Sequence, residues 1–143
     1  MPEPALSSTP TGRFPKTAHL LRHADFQRVY KQGARCFSNG MTVFYLRRES
    51  QEETAVGCRF GFTTPKAIGK AVVRNRIRRR LRELVRRNRA VLEALSTPVD
   101  VVFNPRRSAA EAQIEKLERE LVRAFQQISR ALQARKHATE PSE

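Results

Sequence analysis

The chain has 143 residues, with 28 Lys plus Arg against 14 Asp plus Glu, a net charge of +14. That length suits one domain able to bury a core of its own, so no metal or disulfide staple is needed to hold it. An excess charge of this size opposes compaction until a polyanion offsets it; nucleic acid is the first partner to consider and an anionic membrane surface the second.

Of the basic residues, 22 are Arg, whose planar fork grips phosphate oxygens in pairs where Lys offers only a point charge. Cys36 and Cys58 form no CxxC pair, and His19, His23 and His137 have no ligand spacing with them. Zinc or a disulfide framework is therefore not expected, and two reduced thiols are. No stretch approaches the ~20 apolar residues of a membrane span, and the N-terminal segment lacks an apolar signal core. The expectation is a soluble, cytoplasmic protein.

In chain order, residues 1–18 hold four prolines and little apolar content and read as a disordered arm. Residues 19–134 read as one domain and 135–143 as a frayed tail. A short helix is predicted over 24–32, with Phe26, Val29 and Tyr30 at i, i+3, i+4 and Gly33 as its stop. Residues 41–47 are β-branched and aromatic and read as a strand; 50–54 form a polar turn. Val56, Cys58, Phe60 and Phe62 alternate with polar or small residues, a second strand with one apolar face. A long helix is predicted over about 71–95, ended by Thr97 and Pro98. Residues 99–103 form a short strand ended by Asn104 and Pro105. Ser108 and Glu111 suggest a capping box for a last helix running to about Ala134, with Ile114, Leu117, Leu121, Phe125, Ile128 and Leu132 on one face. This is an α+β chain with helices packed on a small sheet.

The chemistry concentrates in the long helix, where nine of the sixteen residues from Arg74 to Arg89 are Arg. With Ile77 set at zero, Val73, Ile77, Leu81, Leu84, Val85 and Leu92 lie between about −40° and +80°. Asn75, Arg79, Arg82, Arg86 and Arg89 lie between about 120° and 200°, the opposite ridge. Arg76, Arg80 and Arg87 flank the apolar sector on one side and Arg78 on the other. Arg74 projects into that sector, so either the helix begins near it or its stem snorkels. Solvated helix faces mix signs, yet Glu83 is the only acid from Arg74 to Arg89. Stacked like charges cost a few tenths of a kcal/mol per pair, which points to a polyanion partner. The last helix mixes Glu111, Glu115, Lys116, Glu118, Arg119, Glu120 and Arg123, an ordinary solvated face with no binding role expected.

The RNR run at 74–76, preceded by KAIGKAV (66–72) and followed by IRRRLRE (77–83), resembles the signature of the bacterial ribonuclease P protein subunit. ADFQRVYKQG (24–33) is similar to that family's opening helix, FGFT (60–63) to its strand before the signature, and DVVF (100–103) to a later strand. The resemblance covers about residues 20–133. It implies an αβββαβα two-layer sandwich with a small mixed sheet, the Arg-rich helix lying in a left-handed βαβ crossover. The second domain of a small-subunit ribosomal protein is similar. It also implies a role in removing the 5′ leader from precursor tRNA, the hydrolysis being done by an RNA subunit with bound magnesium. Ribonuclease P RNA and precursor tRNA are then the partners, with no membrane and no small-molecule substrate.

By the same resemblance, Arg74, Asn75, Arg76, Arg78, Arg79 and Arg82 face the catalytic RNA, with Lys66 and Lys70 just before them and Arg86 farther along the ridge. Phe26, Tyr30 and Phe44 map to the leader cleft, although a one-residue slip would put Tyr45 there instead of Phe44. Phe26 and Tyr30 could equally be plain core, since aromatics at helical spacing usually are. GKA at 69–71 ends like a Walker loop, but Ala71 stands where a Ser or Thr would hold magnesium. Two other readings compete: a ribosomal-type RNA-binding protein without a catalytic RNA partner, and a self-sufficient nuclease. The second lacks a carboxylate cluster or His pair able to hold two metals.

Overall fold

The computed structural model describes residues 22–48, 58–94 and 98–139. The predicted arm, the polar turn at 50–54, Val56 and the helix end near Leu95 lie outside the described residues. Helix α1 (His23–Gln32) leads into β1 (Ala34–Phe37), β2 (Met41–Arg47) and β3 (Cys58–Phe62). A 3-10 turn at Lys66–Ile68 precedes α2 (Ala71–Asn88) and the short α3 (Ala90–Glu93), then β4 (Val99–Pro105), a 3-10 turn at Arg107–Ala110, and α4 (Ile114–Thr139). With α3 taken as the continuation of α2 past a break at Arg89, whose backbone stays helical, the order is αβββαβα.

The sheet runs β1-β2-β4-β3. β2 is antiparallel to both its neighbours, whereas β3 and β4 are parallel, the mixed sheet the sequence predicts. Parallel neighbours need a crossover, and here the arginine helix supplies it. Strand side chains alternate between faces. Val99, Val101 and Phe103 of β4 join Met41, Val43, Cys58 and Phe60 against Ile77, Leu81 and Leu84 of α2 and Leu117, Leu121, Phe125 and Ile128 of α4. Each buried leucine in this layer contributes about 1.5–3 kcal/mol. Burial pushes the Cys58 thiol up to about 12, so it stays protonated and is no nucleophile.

Among the described residues the other face is covered by α1 alone. Val29 meets Val102 there, with Phe26, Tyr30, Phe44 and Leu46 packed around them. A buried ion network clamps α1 to the sheet. Asp100 of β4, fully buried, accepts hydrogen bonds from Arg48 and from both ends of the Arg59 fork. Arg59 reaches on to Asp25 of α1 at 3.7 Å, and Arg28 pairs with Asp25 one helical turn later. Removing one member of such a network leaves a charge buried without compensation, at a cost of ~3–5 kcal/mol.

The αβββαβα order calls for a third strand that the residue pattern does not locate; it is β1, whose four residues are mostly exposed and show no alternation, and pairing with β2 is what makes them a strand. Three expectations need correction. Ser108 caps no helix, because it sits in a 3-10 turn and α4 begins at Ile114. The physical reason is Arg80, whose guanidinium holds the carbonyls of Ala109, Ala110 and Ala112; a helix starting at Ser108 would need those carbonyls for itself. α4 extends to Thr139, past the predicted end near Ala134. β4 continues to Pro105, with Asn104 opposite Thr42 and Pro105 opposite Met41.

Candidate nucleic-acid interface

Helix α2 buries Ile77, Leu81, Leu84 and Val85, which fixes its rotation and turns Asn75, Arg76, Arg79 and Arg82 to solvent. Lys66 and Lys70 are exposed just before it. Gly69, at φ +156°, reverses the chain between them. The first turn of α2 has no side-chain cap and no acid, so its backbone N–H groups and helix dipole favour an anion. Arg76, Arg79, Lys66 and Lys70 make no ion pair or side-chain hydrogen bond with another described residue. Arg82 lies over the Phe62 ring, 5.9 Å from its centroid.

The other arginines divide. Arg74 is half-buried, and its Nε donates to the Gly69 carbonyl at 3.1 Å; α2 starts three residues before it, so the stem lies along the turn. Arg78, also half-buried, donates to Thr64 Oγ1 and Asn75 Oδ1. Arg86 is paired with Glu83 at i, i+3; this bond holds the Glu83 carboxyl below its ordinary range and raises the guanidinium. Arg86 and Arg89, which pairs with Glu93 at 3.5 Å, are thus the two predicted ridge residues with an acid already on them. Arg80 serves the fold, and Arg87 pairs with Glu118 of α4 at 2.9 Å.

On the sheet's other face the Tyr30 ring meets Phe44 edge-on, centroids 4.9 Å apart and planes at 85°. Its hydroxyl donates to Asn104 Oδ1 at 2.9 Å and shares a hydrogen bond with Thr63 Oγ1, also 2.9 Å. The register decides between the two candidates on β2. Phe44 pairs with Arg35 and Val102, on the α1 side, whereas Tyr45 packs against the main core. Phe26, Tyr30 and Phe44 are all partly buried, neither sealed in the core nor free of it. An open cleft of about 390 Å³ runs from Phe26 and Tyr30 past Phe62 and Thr63 to Arg78. Two of the predicted aromatics, Phe26 and Tyr30, therefore line one cleft with Arg78, and Phe44 touches Tyr30 beside it.

The sequence reading missed Arg35, Thr63 and Asn104. Arg35 lies over Phe44, 6.0 Å from its centroid, and only the pairing of β1 with β2 reveals it. Thr63 and Asn104 orient Tyr30 from two other strand ends, and no local signal points to either. Among the described residues no group of three or more His, Cys, Asp or Glu could hold a metal, and none of the helices is long and apolar enough to cross a membrane.

The ribonuclease P family model matches residues 14–129. The chain belongs to the ribonuclease P protein family. It is 32% identical over 108 residues to the ribonuclease P protein component of Clostridioides difficile, covering 76% of this chain and 89% of that one. Against the same component of Chloroflexus aggregans it is 39% identical over 112 residues, 76% of this chain and 75% of the relative. The fold is similar to the RNase P protein of Thermotoga maritima, with TM-score 0.64 and 22% identity over 76% of this chain and 96% of that one. The Staphylococcus aureus RNase P protein gives TM-score 0.61 at 24% identity, over 76% and 93% of the two chains. RNA binding and tRNA processing come with membership of the ribonuclease P family. The ribosomal-type alternative is set aside.

Proposed function

We propose that the chain is the positioning half of a ribonucleoprotein endonuclease that trims the 5′ leader of precursor tRNA in the cytoplasm. In this reading the ridge of Asn75, Arg76, Arg79 and Arg82, with Lys66, Lys70, Arg74, Arg78 and Arg86 around it, docks on the catalytic RNA through its phosphates. The cleft of Phe26, Tyr30 and Phe44 receives the single-stranded leader. Aromatic faces stack on unpaired bases with little regard to sequence, at ~1–3 kcal/mol per base, which suits leaders of varied sequence. The RNA subunit holds the magnesium and carries out the hydrolysis. Asp25 and Asp100 are occupied by Arg28, Arg48 and Arg59, and Glu120 by Ser38 and Gly40, which supports binding and orientation as the protein's tasks.

The observation that carries this reading is the junction at Thr63, Thr64 and Arg78, where half-buried rings adjoin the helix that turns Arg76, Arg79 and Arg82 to solvent. The test is reconstitution. Rigorously RNA-free protein should leave precursor tRNA intact, and should stimulate cleavage when the partner RNA is added at low magnesium. Cleavage by the protein alone would overturn this division of labour.

A further inference from the structure

We propose that the leader path continues from the Phe26–Tyr30–Phe44 cleft over the β1 edge of the sheet and onto a basic stripe of α4. Phe37, Lys116, Arg119 and Arg123 then hold leader nucleotides farther from the cleavage site. The inference rests on the reading of the cleft as the leader site, and extends it to a helix whose mixed charge suggests no role in the sequence.

The charges of α4 are not mixed where they point. Lys116, Arg119, Arg123 and Arg130 recur at helical spacing along one side, all exposed, and none has a partner among the described residues. The acids are engaged elsewhere. Glu118 accepts from Arg87 and Asn88 of α2, and Glu120 is buried, accepting from the Gly40 N–H and the Ser38 hydroxyl, each at 2.9 Å. Glu115 alone stays exposed beside the stripe. An unpaired cationic row is what a phosphate backbone neutralises.

Phe37 adds what a charged stripe lacks. It is 67% exposed, the one aromatic among the exposed large apolar side chains of the described residues. Its position is built: Glu120 holds the turn after β1 from α4, and Arg106 donates to the Ser38 and Asn39 carbonyls from the other side. A groove of about 280 Å³ joins Phe37 to Lys116, Arg119 and Arg123.

The route from the cleft is continuous. Phe44 touches Tyr30, and the Arg35 guanidinium lies 6.0 Å from the Phe44 centroid and 5.3 Å from that of Phe37. The sheet order puts β3, which leads into the arginine helix, at one edge and β1 at the other. Crossing it takes three strand spacings, ~15 Å, a distance that a few extended nucleotides span. A paired RNA helix hides its base faces, whereas a single strand offers them to an exposed ring. That favours the leader over a folded part of the catalytic RNA as the occupant.

The test uses reconstituted holoenzyme and precursor tRNAs with leaders of about five and about fifteen nucleotides, since stacking contributes base by base. Phe37→Ala should weaken binding of the long leader roughly five-fold or more and leave the short one unchanged. The Arg119→Gln, Arg123→Gln double variant should flatten the log–log salt dependence of long-leader binding by ~1.4, the single-strand value for two phosphates. Affinity for the catalytic RNA should be untouched in both. Wild-type behaviour on the long leader, equal loss on both leaders, or weakened assembly with the catalytic RNA would each overturn the proposal. Phe26→Ala is the discriminating companion. If it impairs both leaders while the Phe37 and α4 variants are silent, only this extension fails; if it too is silent, the cleft reading fails with it.

Discussion

At the scale of single residues, neighbours in sequence divide between fold and function. Tyr30 does both: its ring lines the cleft, while its hydroxyl is committed to Thr63 and Asn104. Tyr30→Phe keeps the ring and removes those bonds. We expect it to lower stability by about 0.5–1.5 kcal/mol, read by denaturant unfolding, while leader affinity is largely retained. A large loss of leader affinity at unchanged stability would mean that the hydroxyl itself contacts RNA. Asp100 shows why such roles are hard to see in a sequence. An acid within an apolar strand announces nothing until the fold brings Arg48 and Arg59 to it from the end of β2 and from β3.

At the scale of elements, α2 was the most legible part of the chain. Period-3.6 apolar spacing fixes which side is buried, and a near absence of acids marks the other side as a place for phosphate. The ridge of Asn75, Arg79 and Arg82 follows from those two facts, whereas Arg76, which the periodicity puts on the flank, comes from the family resemblance. What did not follow is the fate of each arginine, because Arg80 finds its partners on the turn after β4 and Arg87 finds Glu118 on α4. β1 was illegible for a different reason: four mostly exposed residues carry no period, and the strand exists by pairing. Phe44 and Tyr45 could not be told apart, since both are aromatic and only register separates them. The contrast between Arg79 and Arg80 is testable. Arg79→Ala and Arg82→Ala should each flatten the salt dependence of binding to the catalytic RNA by roughly 0.7–0.9 without changing stability. Arg80→Ala should keep the slope and lower stability by about 1.5–3 kcal/mol, the worth of a charged hydrogen bond. Identical salt slopes for all three would reduce the ridge to a charged surface.

Taken whole, the molecule uses the two faces of one sheet differently. One face builds the core with α2 and α4, and so fixes which way the arginine ridge points. Among the described residues the other is covered by α1 alone, clamped by the Asp25–Arg59–Asp100 network, which leaves an open cleft beside it. The family and the mixed α+β order could be read from the sequence because its motifs are long and in order; the meeting of the two surfaces could not, because it depends on β1, Thr63 and Arg78. The most direct test compares affinities of the holoenzyme for leader-bearing and leaderless tRNA, with thermal unfolding measured on the same variants. Phe26→Ala and Tyr30→Ala should each weaken leader-bearing substrate by ~1–3 kcal/mol, leaving mature tRNA and assembly with the catalytic RNA unchanged. An unaltered ratio in a stably folded Phe26→Ala, Tyr30→Ala double variant would show that these rings are core and that the leader lies elsewhere.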